Sequence, residues 1–201
     1  MSIELKVVPR RQATANSCWW ASIAMVLQYY GRNYRVPSDF SNEFSRTHDP
    51  NSRGFSPPNQ WYQNGLPIQQ GAYRLLSEIT GFRGLRTRPR AGAWTAIDVS
   101  RRLRRYGPLV FFGQWNGAPH SIVVTGLSEI GPEPRVVMID PARGFPSMHT
   151  LEDFNSHMGR LNSISGLNPF YFPVRSGAQV QEVVMNDAVD YVTDIAGLMD
   201  V

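Results

Sequence analysis

The residue types that could form a nucleophilic catalytic site are one cysteine and a histidine far downstream of it. Cys18 is the only cysteine among the 201 residues, so neither an internal disulfide nor a multi-cysteine zinc site can form. It lies at the predicted start of an apolar helix, where the positive end of the helix dipole favours the nucleophilic thiolate. A buried, unreactive cysteine is the alternative interpretation.

His120 opens an apolar, strand-like run after the turn at residues 117–119, a position that suits a side chain facing a cleft. An imidazole there could accept the thiol proton and form a thiolate–imidazolium pair. Asp140 ends the next apolar run and precedes Pro141, so its carboxylate could orient the histidine ring. A structural histidine and a turn-forming aspartate are the alternatives.

Gln12 lies six residues before the cysteine. An acyl-transfer nucleophile needs N–H donors directed at the oxyanion that develops on the substrate. We expect the backbone N–H of Cys18 and the side-chain amide of Gln12 to supply them, with a plain surface glutamine as the alternative. The remaining histidines fall in a predicted loop, a turn and a polar helix, and are less well placed for catalysis: His48, His149 and His157.

This set of residues resembles the papain-like cysteine peptidases, and most closely their compact bacterial branch. That branch includes peptidases that trim double-glycine leaders and the avirulence-type effector proteases of plant pathogens. The matching segments are Gln12, Asn16-Ser17-Cys18-Trp19-Trp20-Ala21, His120-Ser121-Ile122-Val123-Val124-Thr125-Gly126 and Asp140-Pro141. The papain pattern C-G-[SA]-C-[WY] is matched in its last three positions, whereas Ala15 and Asn16 replace its upstream cysteine and glycine.

The resemblance implies an α+β fold in which a helical N-terminal part carries Cys18 at a helix start. This part packs on an antiparallel sheet that carries His120 and Asp140. The implied reaction is hydrolysis of a protein or peptide substrate through a thioester acyl-enzyme, and no metal or organic cofactor is implied. Aromatic residues near such a cleft line substrate subsites, with core packing as the alternative, and the candidates here are Trp19, Trp61 and Trp115.

Hydrophobic periodicity and turn residues independently predict an α+β fold, with helices first and strands later. Helices are predicted over residues 18–30, 38–44, 68–80, 95–106 and 151–158. Strands are predicted over residues 86–90, 109–113, 120–127, 136–140 and 170–174. Residues 46–67, which are rich in proline and glycine, form a predicted long loop.

Charge divides the chain into two parts, and we expect a peptidase domain over residues 1–176 and an acidic amphipathic helix over 177–201. The net charge is +4, but residues 178–201 carry five acidic and no basic residues, which leaves +9 on the rest. The arginines at 83–90 and 101–105 could form a nucleic-acid-binding face. No nucleic-acid-binding motif accompanies them, so we favour a solvated face.

The sequence also bears on location and partners. No apolar run reaches the ~18–20 residues that a membrane-spanning helix needs, and the first residues lack the layout of a signal peptide. Only 11 residues precede Gln12, too few for a papain propeptide, so we expect restraint by other means such as an inhibitor or immunity protein. We interpret the chain as a bacterial effector or toxin, cytoplasmic in its producer or exported without a cleavable signal.

Three alternatives to this interpretation stay open at the sequence level. A housekeeping cytoplasmic peptidase would use the same catalytic residues. A cysteine amidase or a transglutaminase-like acyltransferase would carry out related thioester chemistry on another amide. A non-enzymatic interaction module would use the basic face and the acidic tail, and would leave Cys18 unreactive.

Overall fold

The computed structural model describes residues 2–32, 83–86, 93–115, 117–158, 167–171 and 182–183. Within these residues the helices are α1 (Cys18–Tyr29), α2 (Ala96–Tyr106) and α3 (Leu151–Met158). The strands are β1 (Ile3–Leu5), β2 (Arg83–Arg86), β3 (Leu109–Trp115), β4 (Ala118–Ser128), β5 (Arg135–Asp140), β6 (Phe145–Thr150), β7 (Leu167–Tyr171) and β8 (Glu182–Val183). The helices predicted over 38–44 and 68–80 and the loop predicted over 46–67 lie outside the described residues.

The described strands form one curled antiparallel sheet with β4 near its centre. The order along the sheet is β2-β7-β3-β4-β1-β8, and β5 lies beside β4 with β6 next to it. The β3–β4 hairpin runs in register from Leu109 opposite Val124 to Trp115 opposite Ala118. Strand β5 then pairs antiparallel with β4, placing Ile139 opposite Val123. The α+β class and the antiparallel sheet predicted from the sequence are therefore confirmed.

Helix α1 is the central element of the core. Every residue from 19 to 27 is buried, and a helix that is apolar on all sides is typical of an interior position. The helix contacts both β3 and β4, so its N-terminus is held beside the sheet. This arrangement places Cys18, the first helical residue, at the junction between helix and sheet.

Helix α2 ends close to the C-terminal end of α1, and a hydrogen bond joins the two helix ends. Thr95 caps its start, because the hydroxyl oxygen accepts a hydrogen bond from the Asp98 N–H at 3.1 Å, as the sequence predicts. The helix ends at Gly107, whose φ of +68° is accessible to glycine at little cost. The Tyr30 hydroxyl donates to the Tyr106 carbonyl at 2.8 Å and occupies the space that a Cβ at position 107 would need.

Three of the described strands are absent from the sequence prediction, and the other five have bounds that differ from it. Strands β1, β6 and β8 were not expected, because each is short or lacks a regular apolar alternation. Strand β2 begins at Arg83 rather than at residue 86, and β7 covers Leu167–Tyr171 rather than 170–174. Because β2 and β7 pair with each other, their mutual register sets these bounds rather than local propensity.

The acidic C-terminal segment is also corrected at two positions. Glu182 and Val183 form β8, which pairs antiparallel with β1 and places Val183 opposite Glu4. Helix was expected there, but the backbone hydrogen bonds that β1 offers stabilise an extended conformation instead. Residues 177–181 and 184–201, which carry the remainder of the expected helix, lie outside the described residues.

Candidate active site

The loop before α1 leaves the start of the helix without a side-chain cap. Ser17 is the N-cap residue, but its side chain makes no capping hydrogen bond to the helix. Its hydroxyl instead donates to the Thr14 carbonyl at 3.1 Å and accepts from the Thr14 N–H at 3.0 Å. The half-exposed Cys18 side chain therefore lies at a helix N-terminus whose positive end can stabilise a nearby anion.

His120 and Asp140 form a short hydrogen-bonded pair beside that helix start. His120 Nε2 lies 2.6 Å from Asp140 Oδ1, and the two side chains are only 14% and 19% exposed. The Cys18 side chain is the other group close enough to the imidazole to affect the pKa of His120. Because Asp140 occupies Nε2, the remaining ring nitrogen, Nδ1, is the atom available to the thiol. The fold thus places His120 between Cys18 and Asp140.

The environment of His120 favours the imidazolium. Burial opposes the charged ring, but the hydrogen bonds with Asp140 and Cys18, together with the negative charges of both partners, outweigh it. They raise the pKa of His120 from 6.5 to about 9. A histidine in this state can supply a proton at neutral pH, which a departing amine requires.

Asp140 is fixed as an acceptor by its own turn. Burial favours its neutral form, but the hydrogen bonds from His120 and from the Ala142 N–H, followed by the charges of His120 and Arg143, lower the pKa of Asp140 below 3.8. The Ala142 N–H donates to Oδ1 at 2.8 Å. The carboxylate is therefore ionised and aimed at the ring, as an orienting group must be.

The two shifts define the pH window in which the pair stabilises the fold. An unfolded histidine titrates near pH 6.5, so the contribution of His120 is complete below that pH and is lost as pH rises through about 9. Asp140 acts at the other end, since its pKa is lowered by folding. Its contribution is present above the unfolded value of about 3.9 and is lost as pH falls through the folded value.

Gln12 lies next to the Asp140 turn, although its amide group is engaged by its own loop. The Gln12 N–H donates to the Pro141 carbonyl at 2.8 Å, which joins the two loops. Its Nε2 donates to the carbonyls of Thr14 at 2.9 Å and Ala15 at 3.0 Å. Its Oε1 is buried without a hydrogen-bond partner in the described part of the chain. Donation to an oxyanion would therefore require one of the two loop hydrogen bonds to be exchanged.

We predict that Gln12→Ala lowers peptide hydrolysis by on the order of 10²–10³-fold, as loss of one oxyanion donor does. Alkylation of Cys18 by iodoacetamide passes through no oxyanion, so its rate should stay within about threefold of wild type. Parallel measurement of both rates separates the two roles of Gln12. If both rates fell together, Gln12 would act by holding the loop that precedes Cys18.

The three tryptophans expected at a substrate cleft have different outcomes. Trp19 is 2% exposed and packs in the core, with its ring centroid 6.0 Å from that of Trp20, which favours core packing over a contact with substrate. Its position one residue into a fully buried helix accounts for this. Trp115 is partly buried and lies edge-on to His120, at 6.0 Å between ring centroids. Trp61 lies outside the described residues.

Two features of the described residues bear on other kinds of site. Within them, no group of three or more histidine, cysteine, aspartate or glutamate side chains is arranged to hold a metal ion. The helices described in this structure are all too short or too polar to cross a membrane.

Sequence reasoning missed two neighbours of the site, namely Gly113, which pairs with His120, and His157, which stacks on Trp115. Neither has a local sequence signal.

The fold and the site together are those of a papain-like scaffold: a mixed α+β chain with a cysteine at the start of a buried helix, beside a histidine and an aspartate on a curled antiparallel sheet. The sequence model of the family described as papain-like cysteine protease AvrRpt2 matches residues 1–159. The chain belongs to this family. A search of curated proteins finds no match.

Proposed function

We propose that this protein is a cysteine protease that cleaves a protein substrate through a thioester acyl-enzyme. The observation that carries the proposal is the 2.6 Å pair of His120 and Asp140 beside the helix start that bears Cys18, with Cys18 close enough to help raise the pKa of His120. Membership of the AvrRpt2 family supports the same reaction class. The described residues supply a nucleophile, a proton carrier and an orienting anion, the three roles that acyl transfer requires.

In the first half of the proposed reaction, the Cys18 thiolate attacks the carbonyl carbon of the scissile peptide bond. A carbon–sulfur bond forms, and the carbonyl oxygen becomes an oxyanion near the helix start. The His120 imidazolium then donates its proton to the leaving nitrogen, the carbon–nitrogen bond breaks, and an amine departs. A thioester on Cys18 and a neutral His120 remain.

In the second half, water replaces the amine. His120 removes a proton from the water, and the resulting hydroxide attacks the thioester carbonyl. The carbon–sulfur bond breaks, so that the acid product leaves and the thiolate–imidazolium pair is restored. Asp140 stays ionised throughout and holds the ring in the orientation that both steps need. The Cys18 N–H and Gln12 are the proposed oxyanion donors.

We further propose that the protease works as an effector or toxin inside a target cell. Its family membership supports this, because avirulence-type proteases of this kind act after delivery. The partner is then a host protein substrate, and an inhibitor or immunity protein would protect the producer. The acidic C-terminal residues and the arginines of α2 are outside the proposed chemistry.

A search for new protein termini tests this function. Lysate of a candidate target cell is treated with intact protein or with Cys18→Ala, and new N-termini are identified by mass spectrometry. We expect a small set of termini that share neighbouring residues and appear only with the intact protein. Mass additions on glutamine or lysine without new termini would instead identify an acyltransferase. Identical termini in both samples would exclude Cys18-dependent proteolysis.

A further inference from the structure

An aromatic ring lies against the candidate catalytic histidine. The indole of Trp115 contacts His120 at 6.0 Å between ring centroids, with 72° between the ring planes. Gly113 lies two residues before Trp115 on β3 and pairs with His120 across the hairpin. A Cβ at position 113 would overlap the Trp115 ring and the end of the Met158 side chain. The missing side chain therefore gives the indole its place beside His120.

His157 on α3 holds this indole from another side. Its ring stacks on Trp115 at 5.0 Å between centroids, with 18° between the planes. His157 Nδ1 lies 2.8 Å from the Gln114 carbonyl oxygen, and since a carbonyl only accepts, Nδ1 carries the proton. His157 Nε2 lies 3.4 Å from Asp153 Oδ1. The Nδ1 hydrogen bond therefore ties the ring to β3, and Nε2 lies within ion-pair distance of a carboxylate on the same helix.

The Asp153 carboxylate also holds a second histidine, which offers a matched control. Asp153 Oδ2 lies 2.7 Å from His149 Nδ1, and His149 Nε2 lies 3.0 Å from Ser147 Oγ. The side chains of His149 and His157 are equally exposed, at 25% each. In the described part of the chain, however, ring contacts with Trp115 are made by His157 and His120 and not by His149.

We propose that His157 is a positioning residue: it clamps Trp115 against His120, so that the imidazole stays aligned between Cys18 and Asp140. The catalytic consequence rests on the proposed protease function, whereas the clamp itself does not. An indole held edge-on to the His120 ring would limit the access of water to the 2.6 Å hydrogen bond between His120 and Asp140. Such a bond is stronger, and its proton exchanges more slowly, where water is excluded.

The experiment follows the proton on His120 Nε2 by NMR. This proton should give a downfield signal, which is assigned by its loss in His120→Ala, and its exchange with water is measured directly. His157→Gln keeps a polar side chain but removes the stacked ring. His157→Phe keeps a flat ring and removes the hydrogen bonds. His149→Gln changes the other histidine on Asp153. Thermal unfolding confirms that each variant is folded, and kcat and KM are measured on a cleaved peptide.

We expect His157→Gln to speed exchange at least about tenfold and to lower kcat roughly 10- to 100-fold with KM unchanged, because misalignment acts on the chemical step. His157→Phe and His149→Gln should stay within about threefold of wild type in both measurements. Unchanged exchange in His157→Gln would overturn the clamp, and so would an equal loss in His149→Gln or in His157→Phe. If the wild type cleaves no peptide, the protease proposal fails, while proton exchange still decides whether the clamp exists.

Discussion

We expect Cys18→Ala to lower the proposed peptide-bond hydrolysis by about 10⁴-fold or more and to leave the fold intact. In the proposed mechanism, the Cys18 sulfur forms the bond to the substrate. Its described neighbours in the site, His120 and Asp140, offer no second thiol or hydroxyl nucleophile. Alanine is the best helix former, and residue 18 is the half-exposed first residue of α1, so the substitution leaves no large buried cavity. Initial rates on a peptide taken from the termini search measure the loss.

Ser22→Ala is the matched control for that experiment. Ser22 lies one turn further along α1, is fully buried, and its hydroxyl has no hydrogen-bond partner among the described residues. Replacing it with alanine should keep activity within about threefold of wild type, because no interaction of the site is removed. Thermal unfolding should give similar midpoints for both variants. If Cys18→Ala kept more than a tenth of wild-type turnover, the nucleophile would have to be another group.

The elements that carry the site could be predicted from the sequence because their signals are local. The apolar run after Ser17 predicts α1, and Thr95 with Asp98 three residues later predicts the start of α2. The β-branched runs on either side of residues 117–119 predict the β3–β4 hairpin. The bounds of α2 follow from the Thr95 cap and from Gly107, which act within one turn.

The remaining strands depend on partners that are distant in sequence. Strand β1 has three residues, and β6 contains Pro146 and half-exposed polar residues, so neither shows the alternation that marks a strand. They become strands because β4 and β5 offer unpaired backbone groups at those places. Glu182 and Val183 form a strand for the same reason, despite a helical apolar spacing around them. The strand propensity of a residue has little influence where a neighbouring strand supplies its backbone hydrogen bonds.

The candidate catalytic residues could be chosen from their residue types and chain order, whereas the packing around them could not be predicted. The chain order of Cys18, His120 and Asp140 indicated a row that the fold does bring together. For Trp19 the sequence left a cleft wall and core packing both open, because spacing alone does not distinguish them, and the structure shows it buried. The stack of His157 on Trp115 joins residues 42 positions apart through the packing of α3 on β3. No periodicity encodes such a contact.

His120→Ala slows alkylation of Cys18 at pH 6 by at least about tenfold, because an opposite charge close to a group favours its ionised form. The negative charge of Cys18 helps to raise the pKa of His120 to about 9, which places the imidazolium close to the sulfur. Iodoacetamide is neutral and reacts with the thiolate. Its rate from pH 4 to 10 therefore reports the ion pair without any peptide substrate.

In His120→Ala alkylation should be slowed most at mildly acidic pH, where the imidazolium is lost as a partner of the thiolate, although the helix start still favours the anion. Asp140→Asn provides the matched control, because it keeps the imidazole and removes only the charge behind it. That variant should keep most of the alkylation rate and lose turnover, since its histidine is less well oriented. The alkaline limit of its hydrolysis should also fall below about 9, because the carboxylate helps to raise the pKa of His120. Identical alkylation profiles in wild type and His120→Ala would mean that no ion pair forms, and the proposed mechanism would then lack its base.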